Sequence, residues 1–293
     1  MKLHTAIAAR LRRPSPNETL FRDILRDRVG CPLCGPRMTH RGLRVIPHAA
    51  EGDAISECIR RFGIWEPTET DYLLDRLKPG DTFVDIGANV GYYTVIAASL
   101  VGPQGRVMAF EPDPGNFELI TANIAINQLQ NVHAFQYAVS DSAGAATLHT
   151  NKFNTGDFRL WEGLDLPDEH KGDTVQVETR RLLRSQVPAG ALVKIDTQGW
   201  EAKIVLGNFD VICRASHVIF EFSPRWLAHN GDRPMSLPEA LCDAGFSLSI
   251  IDEQTKSLLP VTLHDLSERV PSLIKASGVA SDPMFLDIAA ARP

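Results

Sequence analysis

Between Thr82 and Val139 short apolar runs alternate with helical periods, and no other feature constrains the fold as much. Thr82-Phe83-Val84-Asp85-Ile86 reads as a strand running into glycines, and Tyr92–Leu100 as a helix stopped by Gly102-Pro103. Arg106–Phe110 reads as a second strand. Asn116–Asn127 follows as a helix, with Phe117, Ile120 and Ile124 at helical spacing, and Val132–Val139 as a third strand. A β-α-β-α-β series with short connections predicts a doubly wound parallel sheet, helices on both faces, and ligands beyond the carboxyl ends of the strands.

The flanking segments extend this frame. Thr68–Leu77 reads as a helix with a Thr N-cap, stopped by Lys78-Pro79-Gly80. Residues 143–180 interrupt the rhythm with two strand-like runs, Thr147–Thr150 and Thr174–Thr179, an insertion placed to wall or cover a site. Ala191–Asp196 (strand), Trp200–Leu206 (helix, Gly207 as its C-cap) and His217–Phe222 (strand) then resume the alternation. Ser236–Ala244 is expected as a helix with Ser236 and Glu239 as its capping box, followed by strands Phe246–Ile251 and Met284–Ala289.

The chain has 293 residues, 44% hydrophobic and 23% charged, enough to bury a core without disulfides or metal staples. Its apolar stretches, such as Val95–Val101, are far short of the ~20 residues of a membrane-spanning helix. Charge is uneven: residues 1–44 carry ten Lys/Arg against three Asp/Glu, so the remainder is acidic. We therefore divide the chain into a basic extension over 1–61, broken by prolines, and a body over 62–293. The extension reads first as a solvated arm, and the body is too acidic for a general nucleic-acid surface. The start lacks the apolar core of a secretory signal, so a cytoplasmic protein with reduced thiols is expected from the five Cys. Cys31 and Cys34 have zinc-knuckle spacing but no second pair, and read as ordinary thiols.

The richest segment is Val84-Asp85-Ile86-Gly87-Ala88-Asn89-Val90-Gly91, an acid-tipped strand and a Gly-x-Asn-x-Gly turn opening a helix. Glycines let the backbone approach a ligand closely. Glu111 closes the next strand, where an acid accepts hydrogen bonds from ribose hydroxyls. Two nucleotide cofactors suit this layout. A dinucleotide wants G-x-G-x-x-G, yet Asn89 replaces the second glycine, Gly91 comes one residue early, and Asp85 would face a pyrophosphate. S-adenosylmethionine carries a sulfonium and an ammonium instead, which an acid at the loop suits.

Asp85–Tyr93, Phe110-Glu111-Pro112, Ala138-Val139-Ser140-Asp141 and Lys194-Ile195-Asp196-Thr197-Gln198-Gly199-Trp200-Glu201 together resemble the FkbM-type S-adenosylmethionine-dependent methyltransferases. Trp65-Glu66-Pro67 and Phe220-Glu221 fit too, and the resemblance covers about residues 63–250. It implies the class I methyltransferase fold, a Rossmann-like seven-stranded doubly wound sheet, here with an insertion between core strands and an N-terminal extension. It also implies methyl transfer to a hydroxyl of a small-molecule or glycan acceptor, such as a sugar or secondary metabolite. A non-catalytic binding module on the same fold and an NAD(P)-linked oxidoreductase are the alternatives.

The implied cofactor residues are Gly87 and Gly91 for backbone room, Asp85 and Asn89 toward the methionine end, Glu111 on the ribose and Asp141 on the adenine amine. An alcohol is a poor nucleophile, so a general base is expected among Asp196, Glu221 and Glu201, with Glu201 equally suited to its helix N-terminus. Lys194 is placed to pair with one of these acids. The three acids would suit Mg²⁺ or Ca²⁺, but their spacing demands no metal. Asn154-Thr155-Gly156 resembles a family loop near the pocket. Thr179-Arg180-Arg181 stands where the family has Thr-Leu-Asp, which points to an acidic acceptor.

Overall fold

A computed structural model describes residues 37–39, 41–49, 53–161, 170–276 and 284–292. Cys31, Cys34, His40 and most of the basic arm lie outside the described residues. The strands are β1 (Arg37–Met38), β2 (Arg44–Val45), β3 (Thr82–Ile86), β4 (Arg106–Phe110), β5 (Val132–Phe135), β6 (Ala138–Val139) and β7 (Gly144–Asn151). They continue with β8 (Lys171–Arg180), β9 (Leu192–Ile195), β10 (His217–Phe222), β11 (Ser247–Asp252), β12 (Ser257–Val261) and β13 (Leu286–Ala291).

The main sheet runs β12-β11-β13-β10-β9-β3-β4-β5. β5, β4, β3, β9 and β10 are parallel, whereas β13 runs antiparallel between β10 and β11. Those seven strands are the ones read from sequence. β12 is an eighth, added at the edge by a hairpin from β11. The parallel strands are apolar on both faces, because helices cover both. Val84, Ile86, Val193, Ile195 and Phe220 belong to one buried cluster, and Phe83, Val107, Leu192 and Ile219 to the other.

The expected third strand, Val132–Val139, divides. β5 completes the main sheet, and β6 crosses to pair with β8 in a small sheet ordered β6-β8-β7. The insertion is thus tied to the body through the end of the strand that precedes it.

Helix Pro67–Arg76 starts one residue before the expected one, and its cap is not Thr68. The carboxylate of Glu253, 185 residues away, accepts from the Thr68 and Glu69 amides at 2.9 and 3.1 Å. Ser236 and Glu239 form no capping box in helix Ser236–Asp243, since Glu239 turns to Arg233. Residues 44–49 and 53–61, assigned to the extension on sequence, pack against the body. Val45, Ile46 and Ile59 sit in its second core cluster, and the Ile46 amide donates to Asn123 at 2.7 Å. No helix of the described residues is long and apolar enough to cross a membrane.

Candidate active site

The carboxyl ends of β3, β4 and β9 meet at the turn after β3. Gly87 has φ +83°, and a Cβ there would lie 1.9 Å from the carbonyl oxygen of Asp196. Only glycine lets the two strand ends approach so closely. Gly91, at φ +81°, begins helix Tyr92–Val101, and a Cβ there would press Ile120. Asn89 takes a left-handed conformation at φ 51°, a region asparagine tolerates better than most side chains. Its amide donates to Glu111 Oε2 at 2.9 Å, and its Nδ2 to the Thr155 carbonyl at 2.7 Å.

These residues border a cleft of about 520 Å³, walled by Gly87, Asn89, Glu111, Tyr137, Asp196 and Trp200, with Thr155 and Phe158 of the insertion closing it. Asp53, missed on sequence, fixes that closure: its Oδ1 accepts from the Thr155 amide and hydroxyl, both at 2.7 Å. The Asp53-x-x-Ser56 spacing, an N-cap whose Oδ2 also accepts from Ser56, was the available signal.

The expected cofactor residues fall into separate groups. Gly87, Asn89 and Glu111 line the cleft. Asp85 lies beneath it, 1% exposed, accepting from the Thr94 hydroxyl at 2.6 Å; burial lifts its pKa to about 6 despite the facing Lys194. Gly91 shapes the helix start behind the wall. Asp141 is exposed beside Gly207, held by Ser140 and Ser142, and does not line the cleft. Burial pushes Glu111 up to about 8, although backbone N–H groups of Asp113 and Asn89 counter it.

The three expected acids differ more sharply. Glu201 is fully buried and used up by its own loop, accepting from the Thr197 amide at 2.8 Å and the Gly199 amide at 2.9 Å. Its burial raises it to about 7. Glu221 is buried at the end of β10 and driven well above the carboxylate range, by burial first and then by Asp196 and Glu201. Asp196 alone faces the cleft. Gln198 bridges the last two, its Nε2 donating to Asp196 Oδ1 at 2.8 Å and to Glu221 Oε2 at 3.1 Å.

Lys194 pairs with Asp196 at 2.9 Å, as expected, and also with Glu69 at 3.3 Å, which was missed because it comes from another helix. Burial opposes its charge, but Asp196 and Glu69 keep it above the ordinary lysine value. Among the described residues, no group of three or more His, Cys, Asp or Glu could hold a metal ion.

Arg180 and Arg181 do not reach the cleft. Both are exposed; Arg180 pairs with Glu178 at 2.6 Å and Arg181 with Asp210 at 3.5 Å. The acidic acceptor inferred from them therefore loses its support. His217 bonds Tyr72 at 2.9 Å in packing, and His229 lies against Trp161 at 4.7 Å between ring centres.

The methyltransferase FkbM domain model matches residues 85–248. The 31-O-demethyl-FK506 methyltransferase FkbM of Streptomyces tacrolimicus is 41% identical over 224 residues, covering 66% of this chain and 82% of that one. The methyltransferase sdnD of Sordaria araneosa is 30% identical over 185 residues, 53% of this chain and 71% of that one. The hexuronic acid methyltransferase AglP of Haloferax volcanii is 26% identical over 186 residues, 61% of this chain and 68% of that one.

Proposed function

The chain belongs to the FkbM methyltransferase family, and from that premise we propose that it moves the methyl group of S-adenosylmethionine to a hydroxyl oxygen of a sugar, glycan or secondary metabolite. The relatives' names point the same way, one modifying an oxygen of FK506 and another a hexuronic acid. The observation that carries the reading is the cleft itself. It is walled on one side by Glu111 and on the other by Asp196, across a turn that a single Cβ at Gly87 would fill.

The residues present fit the cofactor. Glu111 ends β4, where ribose hydroxyls can donate to it, and Gly87 and Asn89 supply backbone at close range. Asp85 and Gly91 support that wall from behind, and Asp141 is left without a cofactor contact. When bound, the cofactor supplies an activated methyl on a positive sulfur. Negative charge at Asp196 suits that centre.

Asp196 is the general base in this reading, because Glu201 is spent on its loop and Glu221 is held toward its neutral form. Asp196 would take the proton of the acceptor hydroxyl, and the bound cofactor would supply the methyl group that the hydroxyl oxygen receives. Lys194 and Gln198 hold the two oxygens of Asp196 in place. Alignment and water exclusion by Thr155 and Phe158 supply much of the remaining acceleration.

Calorimetric titration with S-adenosylmethionine, S-adenosylhomocysteine and NAD, beside Glu111→Ala, tests the cofactor. Micromolar binding of the adenosyl ligands alone, lost in the variant, is expected. A folded protein that binds neither of them would end the reading.

A further inference from the structure

Both oxygens of Glu111 are answered from beyond β4, and the two answers lead back to one place. Oε2 accepts from the Asn89 amide at 2.9 Å. Asn89 Nδ2 donates to the Thr155 carbonyl at 2.7 Å, and the Thr155 amide and hydroxyl donate to Asp53 Oδ1, both at 2.7 Å. Oε1 accepts from Asn116 Nδ2 at 3.4 Å, beside the nearer Asp113 amide at 2.9 Å. Asn116 Oδ1 is bonded in turn to His48 Nε2. An amide oxygen only accepts, so this ring nitrogen carries the proton. The two arms meet at Ser56, whose amide donates to Asp53 Oδ2 at 2.9 Å and whose hydroxyl accepts from the His48 amide at 3.0 Å.

The bonds therefore close into a ring. Asn89, Glu111, Asn116 and Thr155 form its front and line the cleft. His48, Asp53 and Ser56 form its back, and they precede the matched domain at 85–248. Asp53 and Ser56 are fully buried and Asn116 is 1% exposed. Buried polar groups joined in this way fix one arrangement, because each broken bond leaves a donor or acceptor dry.

Asp53 does more than cap its helix. One oxygen on Ser56 is enough for an N-cap, yet the second holds a loop 102 residues further on. Burial pushes the Asp53 carboxyl up, but the Ser56 and Thr155 donors outweigh it and hold the group below the ordinary carboxylate range. Its bonds to Thr155 are thus charge-assisted and strong. His48 is placed as firmly. Beside its amide and ring bonds, its carbonyl accepts from Arg60 Nη1 at 2.9 Å, a further tie to helix Ala54–Phe62.

Glu111 is where a ligand acts on the ring. Burial favours its neutral form in the ligand-free fold. Hydroxyl groups donating to it favour the carboxylate, and a carboxylate accepts more strongly from Asn89 and Asn116. Occupancy at Glu111 then tightens the bonds that lead to Thr155. Linkage makes the effect mutual, so loosening the ring at its back weakens the ligand at its front.

Resting on the reading that S-adenosylmethionine binds beside Glu111, we propose that Asp53 and His48 are positioning residues for the cofactor, and that the ring couples cofactor binding to the hold of Thr155 on the cleft. The segment ahead of the matched domain is then part of the site.

The test uses the full chain and S-adenosylhomocysteine. Asp53→Ser keeps an N-cap for its helix but is too short to answer Ser56 and Thr155 together. His48→Leu removes the donor to Asn116, and His48→Gln restores one. Asp53→Ser and His48→Leu should each raise the Kd about fivefold or more, the lower range of coupling between sites, and His48→Gln should recover most of the loss. Amide hydrogen exchange gives the second readout. In the wild type the ligand should slow exchange at the Thr155 amide about fivefold or more, and His48→Leu, on the opposite arm, should abolish that slowing. A merely structural role would lower the thermal midpoint and leave the slowing intact. Wild-type Kd in either folded variant would overturn the coupling. So would unchanged Thr155 exchange in a wild type that binds the ligand, a result that needs no variant to fold. A wild type that does not bind the ligand would instead remove the cofactor reading, and the ring's role with it.

Discussion

The ammonium of Lys194 sits 2.9 Å from Oδ2 of Asp196, two residues on along the same strand end, and both side chains lie on one face of the sheet. The same ammonium reaches Glu69 at 3.3 Å and faces Asp85, its neighbour across β3. One buried cation thus balances acids from two strands and a helix, and fixes Asp196 where it opens onto the cleft.

Lys194→Met should therefore cost far more than a surface lysine. Removing one partner of a buried ion pair typically costs about 3–5 kcal/mol, since the charges left behind are uncompensated. Denaturant unfolding measures it. A loss below about 1 kcal/mol, the range of an exposed pair, would refute the central role assigned to this cation.

Asp196→Asn should leave S-adenosylhomocysteine binding within a few-fold and reduce kcat by about 10²–10⁴, the usual contribution of a general base. Glu201→Gln should act differently. It lowers the thermal midpoint, because the loop amides of Thr197 and Gly199 lose charged acceptors. If the two variants behave alike in both assays, the division of labour between these acids is wrong.

Glu111 gives the pH dependence. Its folded pKa of about 8 lies above the ordinary 4.5, so the ligand-free fold holds a proton that the unfolded chain has released. Stability then falls as pH rises from about 4.5 through 8. Glu111→Gln should flatten that decline in thermal scans. Ribose hydroxyls donating to the carboxylate favour its ionised form, so cofactor binding should release protons near pH 7. Calorimetry in buffers of different ionisation heat would detect the release.

Gly87→Ala should be severe. Its Cβ would meet the Asp196 carbonyl at 1.9 Å, and its φ of +83° is strained for alanine. Gly80→Ala is the control, at φ +96° with nothing within 4 Å. Strain alone costs about 1–2 kcal/mol, so Gly80→Ala should lose about that much and Gly87→Ala several-fold more, read from unfolding midpoints.

Glu253→Ala should destabilise by about 0.5–2 kcal/mol, the worth of a helix N-cap, although it lies outside the helix it caps. Glu253→Gln, which still accepts hydrogen bonds, should recover part of the loss.

Strands β3, β4 and β10 were legible to the residue, because period, branching and flanking glycines are local signals. So was the turn from Asp85 to Gly91, whose glycines answer to backbone geometry. Helix Ala54–Phe62, edge strand β12 and helix Leu263–Lys275 went unread, although Thr262 and Asp265 form a capping box.

In the site, residue types were legible and their offices were not. Asp196, Glu201 and Glu221 are all acids at strand or helix ends, and the linear reading set only Glu201 apart, as equally suited to its helix N-terminus. Only folding makes Glu201 a loop acceptor, buries Glu221 and turns Asp196 to the cleft.

By itself the sequence determined the alternating sheet, the glycine turn and the acids at its strand ends, because those follow from steric and hydrophobic rules acting over a few residues. Tertiary structure alone decided which acid is free and which cation balances it. Burial and pairing depend on groups tens to hundreds of residues apart, and no local pattern encodes which of them will meet.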